Sequence, residues 1–94
     1  NTQPIAVCGM LEDKDFRSVM RILSNSFSTW YLADLNVPRG SKASALAKCA
    51  QPSYCFESVS DAFIAAKKHA IESDLPIVVF GSFHTVADYL EINS

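Results

Sequence analysis

Apolar residues along the chain alternate between two rhythms. Short β-compatible runs occur at Ile5-Ala6-Val7-Cys8, Thr29-Trp30-Tyr31-Leu32-Ala33-Asp34-Leu35, Tyr54-Cys55-Phe56 and Pro76-Ile77-Val78-Val79-Phe80, and each reads as a strand. Between them the spacing becomes helical. Phe16, Val19, Met20, Leu23 and Phe27 share one helix face, with Arg17, Arg21 and Ser24 on or near the other. A short helix with an alanine-rich face covers roughly Lys42 to Ala50, and Pro52 closes it. A third helix carries the stripe Val59, Ala62, Phe63, Ala66 and Ala70 and runs to about Ser73, and a last one uses Val86, Tyr89 and Leu90.

Local signals support these limits. Asp13 or a neighbour can N-cap the first helix. Ser58-Val59-Ser60-Asp61 is a capping box in which Asp61 reaches back to the Ser58 N–H, and Lys67, Lys68 and His69 suit the negative end of that helix. Pro38 and Gly40 mark a loop after the second strand. The order is therefore β-α-β-α-β-α-β-α. Strands alternating with helices imply right-handed crossovers and a parallel sheet covered on both faces, a three-layer α/β sandwich of about four βα units.

Composition narrows the class. Ninety-four residues make one domain, and an apolar fraction of 49% is enough for a core. The net charge of −2 is spread without a basic stripe, which excludes a nucleic-acid surface of the usual kind. No apolar run is long enough to span a bilayer, and no signal-peptide pattern opens the chain, so the expected location is the cytoplasm. Cys8, Cys49 and Cys55 lack metal-ligand spacing with His69 or His84 and are expected as buried free thiols.

In a parallel sheet, ligands sit outside the carboxyl ends of the strands, where helix-start N–H groups lack partners. Three loops fall there: 9–15, 36–41 and 81–85. They bring Lys14, Arg39, Ser82 and His84 toward one crevice, and two cations there suit a carboxylate or phosphate. No P-loop or dinucleotide fingerprint is present, and no G-x-S-x-G surrounds Ser82. Ser82 serves equally well as a helix cap, Asp13-Lys14-Asp15 as a solvated helix start, and Arg39 and His84 as surface residues.

Gly9-Met10-Leu11-Glu12-Asp13-Lys14-Asp15 resembles the Gly-Met-Leu-x-Asp-Lys-Asp segment of bacterial dihydrofolate synthase/folylpolyglutamate synthases, relatives of the Mur ligases. Trp30-Tyr31-Leu32-Ala33 with Pro38-Arg39-Gly40, the helix from Ser58 to Ala66, and Phe80-Gly81-Ser82-Phe83-His84-Thr85-Val86 are similar to the family's next pieces, in the same order. The resemblance spans nearly the whole chain. It implies the Rossmann-like C-terminal domain of an ATP-dependent amide ligase. In that family ATP and Mg²⁺ phosphorylate a folate-pathway carboxylate, and the amine of L-glutamate attacks the acyl phosphate.

On this resemblance, Lys14 pairs with a glutamate carboxylate, Ser82 hydrogen-bonds one, and Asp13 holds Lys14. Arg39 and His84 stand at the periphery. The family's P-loop, metal ligands and Asp-x-Ala-His-Asn-Pro segment have no counterpart here. The resemblance therefore implies a truncated, single glutamate-binding domain over residues 1–94, lacking the family domain's first βα unit and inactive alone. ATP, Mg²⁺ and the folate or dihydropteroate would bind mostly elsewhere in the parent. Two other readings stay open. One is a non-catalytic flavodoxin-like or receiver-like binding module, although the late strand lacks a receiver's lysine. The other is a hydrolase using Ser82, for which no oriented His–Asp pair is evident.

Overall fold

Alternation within the apolar runs decides the architecture. A computed structural model describes residues 3–11, 16–23, 25–38 and 40–81. They form β1 (Ile5–Gly9), α1 (Phe16–Leu23), β2 (Thr29–Ala33), α2 (Ala43–Ala47), β3 (Ser53–Phe56), α3 (Val59–Ser73) and β4 (Ile77–Gly81). The expected helix at Val86, Tyr89 and Leu90 lies outside the described residues. The four strands make one sheet in the order β3-β2-β1-β4, and every pairing is parallel.

Because side chains alternate along a strand, each strand feeds two cores. Ile5, Val7, Tyr31 and Ala33 meet Val59, Ala62, Phe63, Ala66 and Ala70 of α3 on one face. Ala6, Cys8, Trp30 and Leu32 meet Met20 of α1 and Ala43 and Leu46 of α2 on the other. The result is the expected three-layer α/β sandwich. The central strand β1 is fully buried on both faces, which is why it reads as an uninterrupted apolar run.

The third helix follows its sequence closely. Its buried residues are the five of the predicted stripe. At its start the Asp61 N–H donates to Ser58 Oγ at 3.1 Å, the serine half of the capping box. At its end Asp74 adopts the left-handed conformation, φ 54° and ψ 51°. The Leu75 N–H then donates back to the Ala70 carbonyl at 3.0 Å, which satisfies a terminal carbonyl.

Helix α1 is shorter than its apolar spacing predicts. It stops at Leu23, and the Ser26 N–H closes a turn on the Leu23 carbonyl at 2.8 Å. Asn and Ser side chains favour turns over helix interiors. Phe27 thus leaves the helix face. It packs edge-on to Trp30 with centroids 5.1 Å apart and stacks on Phe80 at 5.5 Å. Helix α2 covers only five residues of the stretch expected to extend to Ala50.

The thiols follow expectation in being free and in the burial of Cys8, and depart from it at the other two. Cys8 is buried, Cys49 is half-buried and Cys55 is exposed, and all three are free. Cys55 sits on β3, an edge strand of the sheet, and its side chain is exposed.

Candidate functional site at the carboxyl edge of the sheet

All four strands point the same way, so their carboxyl ends share one edge. There β1 and β4 are paired in register from Ile5 with Ile77 to Gly9 with Gly81. The strand pair ends on two residues without side chains. The chain leaves Gly9 toward Met10 and Leu11, and leaves Gly81 directly into Ser82.

The loop after β2 is tied to the loop after β1. The Ser41 N–H donates to the Met10 carbonyl at 2.9 Å. Leu11 and Gly40 form an antiparallel bridge. Within the second loop, the Leu35 N–H donates to the Ser41 carbonyl at 3.2 Å, and the Gly40 N–H to the Val37 carbonyl at 2.9 Å. Residues 35–38, 40 and 41 are thereby drawn into a turn against β1's exit. Gly40 is required by space: a Cβ there would stand 2.0 Å from the Leu35 carbonyl oxygen. Ser41 is buried, and its Oγ has no hydrogen-bond partner among the described residues.

Asp34 anchors the other end of this turn, a role that local sequence patterns do not signal. Its Oδ1 accepts from the Ala43 N–H at 2.6 Å, and its Oδ2 lies 3.9 Å from Lys42 Nζ. The carboxylate supplies the cap that Lys42, the residue at the N-cap position of α2, does not. The usual signal for a cap is a polar residue just before the helix. Here the capping oxygen comes from the end of the preceding strand, so only the fold reveals it. On the far side, Asn36 Nδ2 donates to the Glu57 carbonyl at 2.9 Å, linking the same loop to the exit of β3.

Asp13, Lys14, Arg39, Ser82 and His84 lie outside the described residues. The described frame ends at Leu11, Pro38, Gly40 and Gly81, all at this edge. His69 belongs elsewhere: its Nδ1 is 2.9 Å from the Tyr31 hydroxyl behind the sheet. Helix α3 starts at the carboxyl edge, and at 1.5 Å per residue His69 lies about 15 Å along it. Burial, then Tyr54 and Glu72, push the Tyr31 hydroxyl above the usual tyrosine range. Burial pushes the Cys8 thiol up to about 12, which makes it a packing group and not a nucleophile. Among the described residues no cluster of His, Cys, Asp and Glu is suited to hold a metal ion, and no helix is long and apolar enough to cross a membrane.

No family model matches the chain. Among curated proteins it is 39% identical over 92 residues to the dihydrofolate synthase/folylpolyglutamate synthase of Escherichia coli (strain K12), an alignment covering 98% of this chain and 22% of that protein. Among solved structures it is similar to E. coli FolC in complex with ADP, without folate substrate. The TM-score is 0.91 at 38% identity, over 99% of this chain and 22% of that one. It is also similar to a bifunctional folylpolyglutamate synthase/dihydrofolate synthase with Mn, AMPPNP and L-glutamate bound. There the TM-score is 0.75 at 34% identity, over 95% of this chain and 22% of that one. The chain spans about one fifth of the length of the curated relatives it matches.

Proposed function

Because the chain is homologous over its whole length to dihydrofolate synthase/folylpolyglutamate synthase, and matches the C-terminal domain of those proteins, we propose that it is the glutamate-receiving domain of an ATP-dependent ligase. The observation that carries this reading is the pairing of β1 with β4. It sets the exits toward Gly-Met-Leu-Glu-Asp-Lys-Asp and Gly-Ser-Phe-His-Thr-Val side by side at the edge where parallel sheets hold ligands.

In the proposed reaction, a folate-pathway carboxylate in the parent takes the terminal phosphoryl group of ATP. The amine nitrogen of glutamate then attacks the acyl carbon, phosphate departs, and the nitrogen gives up a proton. This chain's part is to hold the amino acid so that its nitrogen is in line. Lys14 pairs with a glutamate carboxylate, Ser82 donates a hydrogen bond to one, and Asp13 steadies Lys14. Arg39 and His84 border the seat. One related structure is described with L-glutamate, AMPPNP and Mn bound, which supports the same ligand set for the parent. By the same resemblance, the metal and the nucleotide phosphates are assigned mostly to the rest of the parent.

The test is kinetic. In the full-length ligase carrying this segment, Lys14→Ala and Ser82→Ala should each raise KM for glutamate about tenfold or more while leaving KM for ATP nearly unchanged. Unchanged glutamate kinetics would remove both residues from the seat. The 94-residue chain alone should show no tight ATP binding by isothermal titration; a Kd of about a micromolar or below would contradict the division of labour.

A further inference from the structure

We propose that the turn at 35–41 is a positioning brace for the glutamate seat, with Gly40 and Asp34 as its positioning residues; this rests on the reading given under Proposed function. The turn joins two segments assigned to that seat. On one side, Ser41 and Gly40 bond and bridge to Met10 and Leu11, three residues before Lys14. On the other, Gly40 directly follows Arg39. A movement of the second loop is thus transmitted to the exit of β1 through backbone hydrogen bonds.

Two features give the brace its shape. The first is the missing side chain at Gly40, which lets the turn cross the Leu35 carbonyl: an added Cβ would meet that oxygen at 2.0 Å and its carbon at 2.8 Å. Both are backbone atoms, so the turn itself must move, and the Ser41 bonds to Met10 and Leu35 move with it. The second is the Asp34 carboxylate. By accepting from the Ala43 N–H it pins the point where the turn runs into α2. Ser41 lies between that crossing and the pinned exit. It is buried there with its hydroxyl unbonded to any described residue. Its backbone pairing to Met10 and Leu35 holds Ser41 in place.

Neither residue is placed against substrate, so the expected signature is a selective change in glutamate kinetics. In the full-length ligase, Gly40→Ala should raise KM for glutamate about tenfold with KM for ATP within about twofold, because a displaced seat weakens one substrate only. Asp34→Ala should raise it about threefold or more. Asp34→Asn should return it to within about twofold of the parent, because the amide oxygen still accepts from Ala43 N–H. A merely structural defect would lower the amount of active enzyme and leave both KM values alone.

Lys14→Ala and Ser82→Ala are measured alongside. If they raise KM for glutamate and the brace variants do not, the brace is wrong and the seat stands. If none of the four moves it, the glutamate seat falls and the brace with it. Should Gly40→Ala fail to fold, Asp34→Ala against Asp34→Asn decides the matter by the same rescue.

Discussion

The two faces of the sheet solve the same burial problem differently. Among the described residues, the fifteen-residue helix α3 covers the back of the sheet and lays alanines at 62, 66 and 70 on Ile5, Val7 and Tyr31. Small residues bring helix and sheet close, so the contact is narrow and continuous. In front, the helices are eight and five residues long. The space they leave is filled from the sheet side by Trp30, fully buried, with Phe27 and Phe80 packed around it. One face depends on a helix stripe of small residues, the other on one large ring. The first tolerates no added volume and the second no lost volume.

The contrast is broken most severely at Trp30. Trp30→Ala should cost about 3–5 kcal/mol, a large part of the stability of a domain this size, as read by urea denaturation. A smaller loss than at Ala66 would mean the front face is not held by its ring. Next, Ala66→Leu should cost about 1–3 kcal/mol by forcing α3 off the sheet. A neutral result would show that the alanine stripe is not close-packed.

The two faces also separate by pH. Cys8 lies in front, with its thiol raised from 9.0 to about 12. Tyr31 lies behind and is also raised. In each case the unfolded chain loses the proton at lower pH than the folded one, so stability present below the unfolded value declines as pH climbs toward the folded value. For Cys8 the decline should set in near pH 9 and continue to about 12, at up to about 1.4 kcal/mol per pH unit for one proton. Cys8→Ala should flatten the lower part of that slope. Tyr31→Phe should leave it and remove only a share above the usual tyrosine range. Equal slopes in the parent and Cys8→Ala would remove the thiol from the account.

Much of the back face is legible in the sequence because one long period dominates it: Val59, Ala62, Phe63, Ala66 and Ala70 are apolar at helical spacing and become the buried stripe. The front face is less legible because two signals compete at Phe27. Its spacing extends the first helix, whereas Asn25, Ser26 and Ser28 end it, and the Ser28 N–H bonds instead to the Pro4 carbonyl at the start of β1. Cys55 misleads in another way. Apolar neighbours suggest burial, but which strand becomes an edge is settled only by sheet order.

For the site, the parallel topology alone puts the strand exits leading into 9–15, 36–41 and 81–85 on one edge. The roles proposed for Asp13, Lys14 and Ser82 rest on motif resemblance, because a lone lysine or serine at a strand end has no distinctive pattern. Asp34 is invisible in sequence for a related reason. It caps a helix whose first residue is nine positions away, beyond the reach of local capping rules.

The sheet order also sets a timetable. Strand β1 is the earliest of the four strands to leave the ribosome, and one of its two neighbours, β4, is the last. Until Ile77–Gly81 has been synthesised, one side of Ile5–Gly9 has no strand to bond with. The nascent domain can assemble β1, β2 and β3 only as a sheet with an apolar open edge, the kind of surface that invites wrong partners. The pairing that also brings the two glycine-ended loops together is thus the last to form and spans nearly the whole described chain, a long closure that slows folding. Assembly of the sheet is therefore a late event in synthesis, and the exits of β1 and β4 stand side by side only once the sheet is complete.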